Sequence, residues 1–553
     1  MHTQTTIPAS PAPATQPQRP KALGDLLGGH VVESRTPLPE SVLWTIQRSF
    51  YDERGASAWA GGAVPHYITC NPSIAQGYAE TILGFARDCR AAGALPTGGV
   101  LRVLELGGGS GRFAALLLAA LRDAVAGSSL ADVQVRYILT DFSQARLDHW
   151  SDHPGLADAR RAGWLRVAQL DAADPTASPA AADEIGLDPG EAPGPVVVVA
   201  NYVLDSLPQE CLALRERTPH WGLLTTMAPR PLAGAPGPAD LADLQFAWDF
   251  PAPDSGRAAD PVTDPDLSAV VAEYADTLDD TVLLVPVAAV ACLRALCRDR
   301  STPTLALVAD KGTTSRRDLL GLGPPGLALH DGCFSLMVNF DALAGVVTRW
   351  GGLPLHPEDR AANLVVAGYA LPAGQVADWP ETALAYRLRL GSAGPDDWFV
   401  LQGAIATGGT EVGVEQALAL LRLSRWDPVV LQRLFPRLLE IAGDTPEQVR
   451  PDLVRALRRV WSAYVPIGES TDVALLIGLL LNGVGRPREA LDFFDRSVAE
   501  HGPSANARFG AALAHTDLGE AAAARRSAAA AAELDPSFGA ARALLVSLAE
   551  DPE

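Results

Sequence analysis

Residues 103–111 read VLELGGGSG, and RFAALLLAALRDAV follows without a break. An apolar strand runs into four glycines and leaves as a helix. Glycine is the residue that tolerates positive φ and lets a backbone approach closely. A strand, a tight glycine turn and an amphipathic helix in immediate succession make up the repeating unit of a parallel, helix-covered sheet. The spacing is Glu105-x-Gly107-x-Gly109-x-Gly111, whereas a dinucleotide turn sets its third glycine three residues after the second.

The acid before the turn discriminates between ligands. Glu105 would repel a pyrophosphate and attract an ammonium. The turn therefore predicts S-adenosyl-L-methionine (SAM), whose methionine end carries that charge, rather than NAD. Further strands are expected at 133–140, 164–170 and 195–200. The last of these, PVVVVA, is the unbroken apolar run of a strand buried on both faces. Asp141 and Asp171 end the second and third strands. They are expected to accept the ribose hydroxyls and to lie near the adenine amino group, respectively. The implied fold class is a doubly wound, Rossmann-like α/β domain.

Other segments are less sharply marked. Residues 22–92 read as helical, in SVLWTIQRSFYDER and IAQGYAETILGFARDC, with a Gly- and Pro-marked loop between them. They are assigned to the catalytic domain as its helical segment 22–99, after a Pro-, Thr- and Ala-rich disordered tail at 1–21. Residues 211–227 read as a hairpin and 288–298 as a helix. Residues 304–308 read as another buried strand, ending at Ala309–Asp310–Lys311–Gly312. Segments 334–350 and 363–370 are expected to complete the sheet of a domain spanning 100–399. Between 240 and 280 there are eleven Asp or Glu and one base, Arg257, which reads as a solvated acidic insertion or a steering surface for a cation.

Beyond 400 the strand signal stops. Gly485 and Gly519 lie 34 residues apart, as do Ala490 and Ala524, and Pro503 and Pro536 close helix pairs. That period predicts tetratricopeptide-like units at 471–504 and 505–538 within an all-α helical-repeat domain, 400–553.

Composition narrows the classes. The formal charge of −21 argues against nucleic acid and anionic membrane as partners. Lys21 and Lys311 are the only lysines, and with abundant Ala, Gly and Pro this suggests a high-GC bacterial gene. The six cysteines (70, 89, 211, 292, 297 and 333) show no C-x-x-C pairing. Neither a disulfide framework nor a metal site is expected, and a cytoplasmic setting fits.

Several stretches together carry a family resemblance. They are HYITCNPSIAQGYAE at 66–80, VLELGGGSG, TDFS at 140–143, ANYVLDSLP at 200–208, Trp221 and ADKG at 309–312. They resemble the segments D-F-x-T-S-P-E-x-x-x-x-F-G-E, E-x-G-x-G-x-G, A-N-E-x-x-D-A-L-P and I-D-Y-G of class I SAM-dependent methyltransferases of the MidA/NDUFAF7-like family. The resemblance spans roughly 40–370 and implies protein arginine methylation. The chain departs from the pattern at Tyr202, where the family has Glu, at Lys311, where it has Tyr, and at Asn71, near the expected Ser-Pro. The cofactor half is retained and the acceptor half is altered.

These residues define the expected site. Glu105, Gly107, Gly109, Gly111, Asp141, Asp171 and Asn201 hold the cofactor. Asn201, at the end of the fourth strand, orients the acceptor; Asp205 and Glu210 are carboxylates for a cationic acceptor, and His330 is a candidate base. Three functions remain open. One is a methyltransferase for a basic protein or peptide, possibly at arginine, recruited by the repeats. The second acts on a small molecule, with repeats for homodimerisation or carrier docking. The third is a non-catalytic scaffold.

Overall fold

The computed structural model describes residues 29–55, 57–60, 66–177, 194–253, 261–298, 302–361, 363–372, 378–392, 394–408 and 412–550. The tail expected at 1–21 lies outside them. The chain divides into two compact units after Asp397.

The first unit opens with strand β1 (His30–Pro37) and helices α1 (Val42–Arg54), α2 (Ser57–Ala60) and α3 (Pro72–Ala91). The sequence reading expected helix across 22–92, so β1 is a correction. It carries β-branched Val31, Val32 and Thr36 and pairs antiparallel with a strand about 190 residues away, His30 opposite Ala228. No local periodicity reports such a partner. The helix begins only where Ser41 caps it, accepting from Leu43 N. Asn71 likewise caps α3, accepting from Ser73 N and Ile74 N, with Pro72 at the first helical position.

Next come β2 (Val100–Leu106), α4 (Arg112–Ala126), β3 (Gln134–Asp141), α5 (Gln144–Asp152), α6 (Pro154–Arg161), β4 (Leu165–Gln169) and β5 (Val196–Asn201). They are followed by β6 (Glu210–Arg215), β7 (Thr218–Trp221), β8 (Leu223–Ala228), β9 (Gln245–Asp249), β10 (Thr281–Val285) and β11 (Thr304–Asp310). Short strands β12 (Gly312–Thr313), β13 (Ala328–His330), β14 (Cys333–Ser335) and β15 (Val338–Asn339) lead to β16 (Leu353–Leu355) and β17 (Val365–Leu371).

The central sheet has seven strands in the order β16-β17-β11-β5-β2-β3-β4. β4, β3, β2, β5 and β11 are parallel, and β17 runs antiparallel to β11. β5 lies between β2 and β11, and Val196 to Ala200 are each at most 2% exposed. This is why its sequence shows no alternation. The expected sheet strand at 334–350 is instead mostly the helix Phe340–Arg349; Asn339 caps it by accepting from Ala342 N, which ends the extended run. The hairpin β6–β7 joins β10 in a separate three-stranded sheet, and β1-β8-β9 forms another. The acidic stretch is built into the fold rather than only solvated: Asp264 caps the helix Pro265–Thr277, and Arg294 bonds to Asp264 and Asp266 at 2.6 and 2.8 Å.

The second unit, 398–553, is helical among its described residues. Successive helices Val473–Gly483, Pro487–His501, Ala505–Asp517 and Ala521–Leu534 pack one on the next. Gly485 and Gly519 both adopt the left-handed region, with φ of 76° and 75°. Phe494 is the central knob: a Cβ on Gly478 or Gly510 would come within 2.7 or 2.5 Å of its ring. Truncating a buried ring leaves a cavity that such a small-residue neighbourhood does not fill. Phe494→Ala is therefore expected to cost ~3–5 kcal/mol in the unfolding of this unit, measured by urea denaturation; an unchanged midpoint would show that the ring is not the packing centre.

Candidate functional site

β3, β2, β5 and β11 are neighbours in the sheet, so their C-terminal ends lie side by side. Those ends carry Asp141, the glycine turn after Leu106, Asn201 and Asp310. The end of a parallel sheet at a crossover is where open α/β folds bind ligands. A cleft opens there, continuous with solvent and walled by the glycine turn, the strand ends and the N-terminal helices.

Glu105, Gly107, Gly109, Asp141, Asp171 and Asn201 all line this cleft. Glu105 is 4% exposed, and its Oε2 accepts from the Tyr137 hydroxyl at 2.7 Å. Burial pushes the carboxyl up to about 8, against the downward pull of that hydrogen bond, and nearby Asp141 raises it further. Gly107, Gly109 and Gly111 have φ of 58°, 53° and 78°. Gly108 adopts ordinary φ, yet a Cβ there would lie 2.1 Å from Leu139 Cδ1. The turn is thus glycine for two reasons, conformation and crowding. Gly111 does not line the cleft; it caps α4. Trp150 Nε1 donates to Gly109 O at 3.1 Å and pins the turn from behind.

Asp141 is also buried, and its Oδ1 accepts from Ser143 N at 3.1 Å. Desolvation raises it to about 6, offset by backbone N–H groups and by Arg146. Asp171 differs. It is partly exposed and holds Arg48 of α1 in an ion pair at 2.8 Å. Arg48 at the same time lies over the Phe142 ring, 4.4 Å from its centroid. The Asn201 side chain is clamped: Oδ1 accepts from Tyr78 Oη at 2.8 Å, and Nδ2 donates to Thr69 O at 3.3 Å.

A smaller cavity adjoins the cleft and shares Tyr51, Tyr202 and Ser206 with it as walls. Asp205, His330 and Lys311 line it. Asp205 is buried and its Oδ1 accepts from Ser206 Oγ at 3.0 Å. Burial raises it to about 6, while Ser206 and the Lys311 charge pull it down. His330 is lowered to about 4, by burial and then by Lys311. The imidazole is therefore uncharged at neutral pH and lines this cavity beside Asp205. Glu210 is placed elsewhere. Only a 3-10 turn, Leu204–Ser206, separates Asn201 from β6, and Glu210 starts that strand opposite Val285, lining neither cavity.

Sequence reasoning missed the contribution of α1 and its neighbour. Gln47, Arg48, Tyr51 and Trp59 all line the cleft. Trp59 sits 3.1 Å from where Gly109 would carry a Cβ and stacks on Tyr51 at 5.7 Å. Arg146, 1% exposed, lies over Trp59 at 4.2 Å and donates to Tyr51 O at 3.1 Å. The available signal was Gln47 and Tyr51 recurring four apart on an otherwise apolar helix face. Among the described residues no cluster of His, Cys, Asp or Glu is placed to hold a metal ion, and no helix is long and apolar enough to cross a membrane.

No family model matches the chain, and no curated protein does. Two solved structures from Burkholderia thailandensis are similar to it. One is a COG1565 superfamily member, put forward as a methyl transferase, bound to S-adenosyl-homocysteine: 19% identity, 57% of this chain and 80% of that one, TM-score 0.34. The other is an uncharacterized COG1565 superfamily protein: 18% identity, 71% and 87% covered, TM-score 0.35. Likenesses at this level decide nothing about the site, which stands on the chain's own residues.

The buried Glu105 has a consequence for stability. Its carboxyl titrates near 8 in the fold and near 4.3 when unfolded, so the folded state binds the extra proton between those values. Stability from this group is therefore lost as pH rises from about 4.3 to about 8. Glu105→Gln keeps the acceptor for Tyr137 and removes the titration. It is expected to be nearly neutral at about pH 4.5 and stabilising by ~2–4 kcal/mol at about pH 8.5. Urea unfolding at both values measures this, and equal effects at the two would refute it.

Proposed function

We propose that the chain is a SAM-dependent methyltransferase acting on a protein or peptide acceptor. The observation that carries the proposal is the desolvated Glu105 carboxyl facing the cleft beside the glycine turn. A buried acid is stabilised when a cation meets it, and the methionine ammonium of SAM is such a cation. The pyrophosphate of a dinucleotide brings no cation to offset the cost of burying that acid.

The remaining residues fit the same ligand. Glycines 107 and 109 leave the turn bare of side chains on the cleft side. Asp141, already held by Ser143 N–H, offers its carboxylate to two ribose hydroxyls. Phe142, Leu170 and Asp171 border the adenine end. When bound, SAM supplies an electrophilic methyl on a sulfonium and needs no activation from the protein. The chain's own groups orient and dry the site. Tyr78 and Thr69 fix Asn201 at the strand end, and Trp59 and Tyr51 wall the cleft against water.

The helical unit supports a macromolecular acceptor. Two left-handed glycines 34 residues apart, and Ala490 and Ala524 fully buried at the same spacing, fit tetratricopeptide-like units. Such arrays present grooves suited to an extended peptide. Incubation with methyl-labelled SAM and lysate from a strain lacking the gene tests this: label in a protein band is expected, and label confined to small molecules would move the acceptor to that class.

Binding gives two sharper outcomes. The chain should bind SAM and S-adenosyl-homocysteine but not NAD, and Asp141→Ala should weaken binding by ~1–3 kcal/mol through two lost hydrogen bonds to a charged acceptor. Glu105, at about 8 when free, must ionise to meet the ammonium. Calorimetry at about pH 7 in buffers of different ionisation enthalpy should therefore show release of roughly one proton. Binding without proton release would place the ammonium elsewhere.

A further inference from the structure

Behind the smaller cavity, buried and lining neither it nor the cleft, lies a second carboxyl that sequence reasoning left without a role. Asp310 ends β11, is 0% exposed, and accepts from Leu204 N at Oδ2, 3.0 Å away. Its other oxygen, Oδ1, is buried and makes no hydrogen bond among the described residues, although the Val203 and Asp205 N–H groups act on the same carboxyl. A carboxylate oxygen so placed would lose its solvation without compensation. A carboxylic acid resolves this, because its O–H donates, and Asp205 is the hydrogen-bonding partner in reach. Burial and then the neighbouring Asp205 charge push Asp310 well above the usual carboxylate range, against the pull of the Leu204, Val203 and Asp205 N–H groups. A close pair of buried carboxyls holds one proton between its members.

Three further features tie this pair to the cleft. Ser206 donates to Asp205 Oδ1 at 3.0 Å, and its own Oγ accepts from Gln47 Nε2 at 3.1 Å. Ser206 and Gln47 both line the cleft. Tyr202 adopts φ of 54°, a left-handed conformation rare outside glycine, and forms a wall of both cavities. Lys311 supplies a positive charge that acts on Asp205. One proton on the pair leaves one negative charge, and Lys311 balances it. The groups facing Asp205 are then Asp310, Lys311, a neutral His330, and the Tyr51, Tyr202 and Cys333 side chains, all three raised by burial and so uncharged.

We propose that this cavity takes an uncharged O–H or N–H acceptor, such as a hydroxyl, phenol or amide, and that Ser206 relays its proton to the Asp205–Asp310 pair. The proposal rests on the methyltransferase reading and deepens it by fixing the acceptor class. The acceptor's X–H bond breaks and its new bond is to the donor methyl carbon, whose former bonding pair stays on sulfur. The acceptor proton moves to Ser206 Oγ while the Ser206 proton moves to Asp205 Oδ1, and the pair later returns one proton to solvent. A guanidinium brings its own charge into a cavity where the negative charge is already matched, so arginine is the disfavoured acceptor.

S-adenosyl-homocysteine binding is measured first on the full chain. Its absence defeats the cofactor reading; its presence leaves the relay and the acceptor class as the properties under test. Difference infrared spectroscopy at about pH 7.5 should then show a protonated-carboxyl band that Asp310→Asn removes and Glu105→Gln retains. No band lost in Asp310→Asn overturns the relay. If that variant does not fold, Asp205→Asn should shift the same band, and an unmoved band has the same force. With S-adenosyl-homocysteine saturating, p-cresol and propionamide should bind at least tenfold more tightly than propylguanidinium, and Lys311→Met should narrow that ratio about tenfold. Tighter binding of propylguanidinium overturns the neutral-acceptor assignment.

Discussion

One buried carboxyl organises the site. Glu105 lies in the middle strand of the parallel set, with β5 on one side and β3 on the other. Placing an acid there costs stability unless it stays protonated or meets a cation. Tyr137 answers part of that cost from the adjacent strand, where it stands opposite Val103, one side-chain repeat before Glu105. The glycine turn after β2 is hemmed in as a result. Leu139, Trp150, Val203 and Trp59 all stand within about van der Waals distance of where the glycines would carry side chains. Glu105 is shielded from solvent because the core closes on the turn, and the turn is glycine because the core closes on it.

The strand ends present a graded series of charges rather than a uniform acidic patch. Glu105 is held mostly neutral, Asp141 is poised near 6, and Asp171 is paired with Arg48 at the rim. In the smaller cavity Asp205 is raised to about 6, and behind it Asp310 is pushed well above the usual carboxylate range. Environments that push carboxyls apart assign them different tasks. The neutral acid suits a ligand that brings its own cation. The poised one suits hydroxyl donors, and the coupled pair suits a proton that arrives during reaction.

What could be read from the sequence was what is local. The strand–turn–helix unit at 103–111, the unbroken β5 run and the acids after β3 and β4 are encoded in short windows, and the sheet is built on them. What depends on distant partners was not legible. β1 looked like part of a helical region because its partner is β8. Glu210 was read as a site carboxylate because it follows Asn201 closely along the chain, but a single 3-10 turn carries the chain into β6 and away from the cavities. Asp310 was visible in ADKG as another acid at a strand end, the same signal that singled out Asp141. Its nearness to Asp205 depends on β5 and β11 lying side by side within the sheet, which only the fold supplies.

The N-terminal helix α1 then appears as the element that joins the subsites. Arg48 reaches the Phe142–Asp171 end, Tyr51 walls both cavities, and Gln47 bonds to Ser206 and to Phe334 on the acceptor side. A single helix thus touches the Phe142–Asp171 end of the cleft, its Tyr51 wall and Ser206 at the adjoining cavity. Gln47 is 4% exposed, and both its amide nitrogen and its oxygen are committed, the oxygen accepting from Phe334 N. Any displacement of α1 must break those bonds together with the Arg48 ion pair. The cleft and the smaller cavity are for that reason bridged by one helix, with Gln47 and Tyr51 four apart on one face and Arg48 turned toward Asp171.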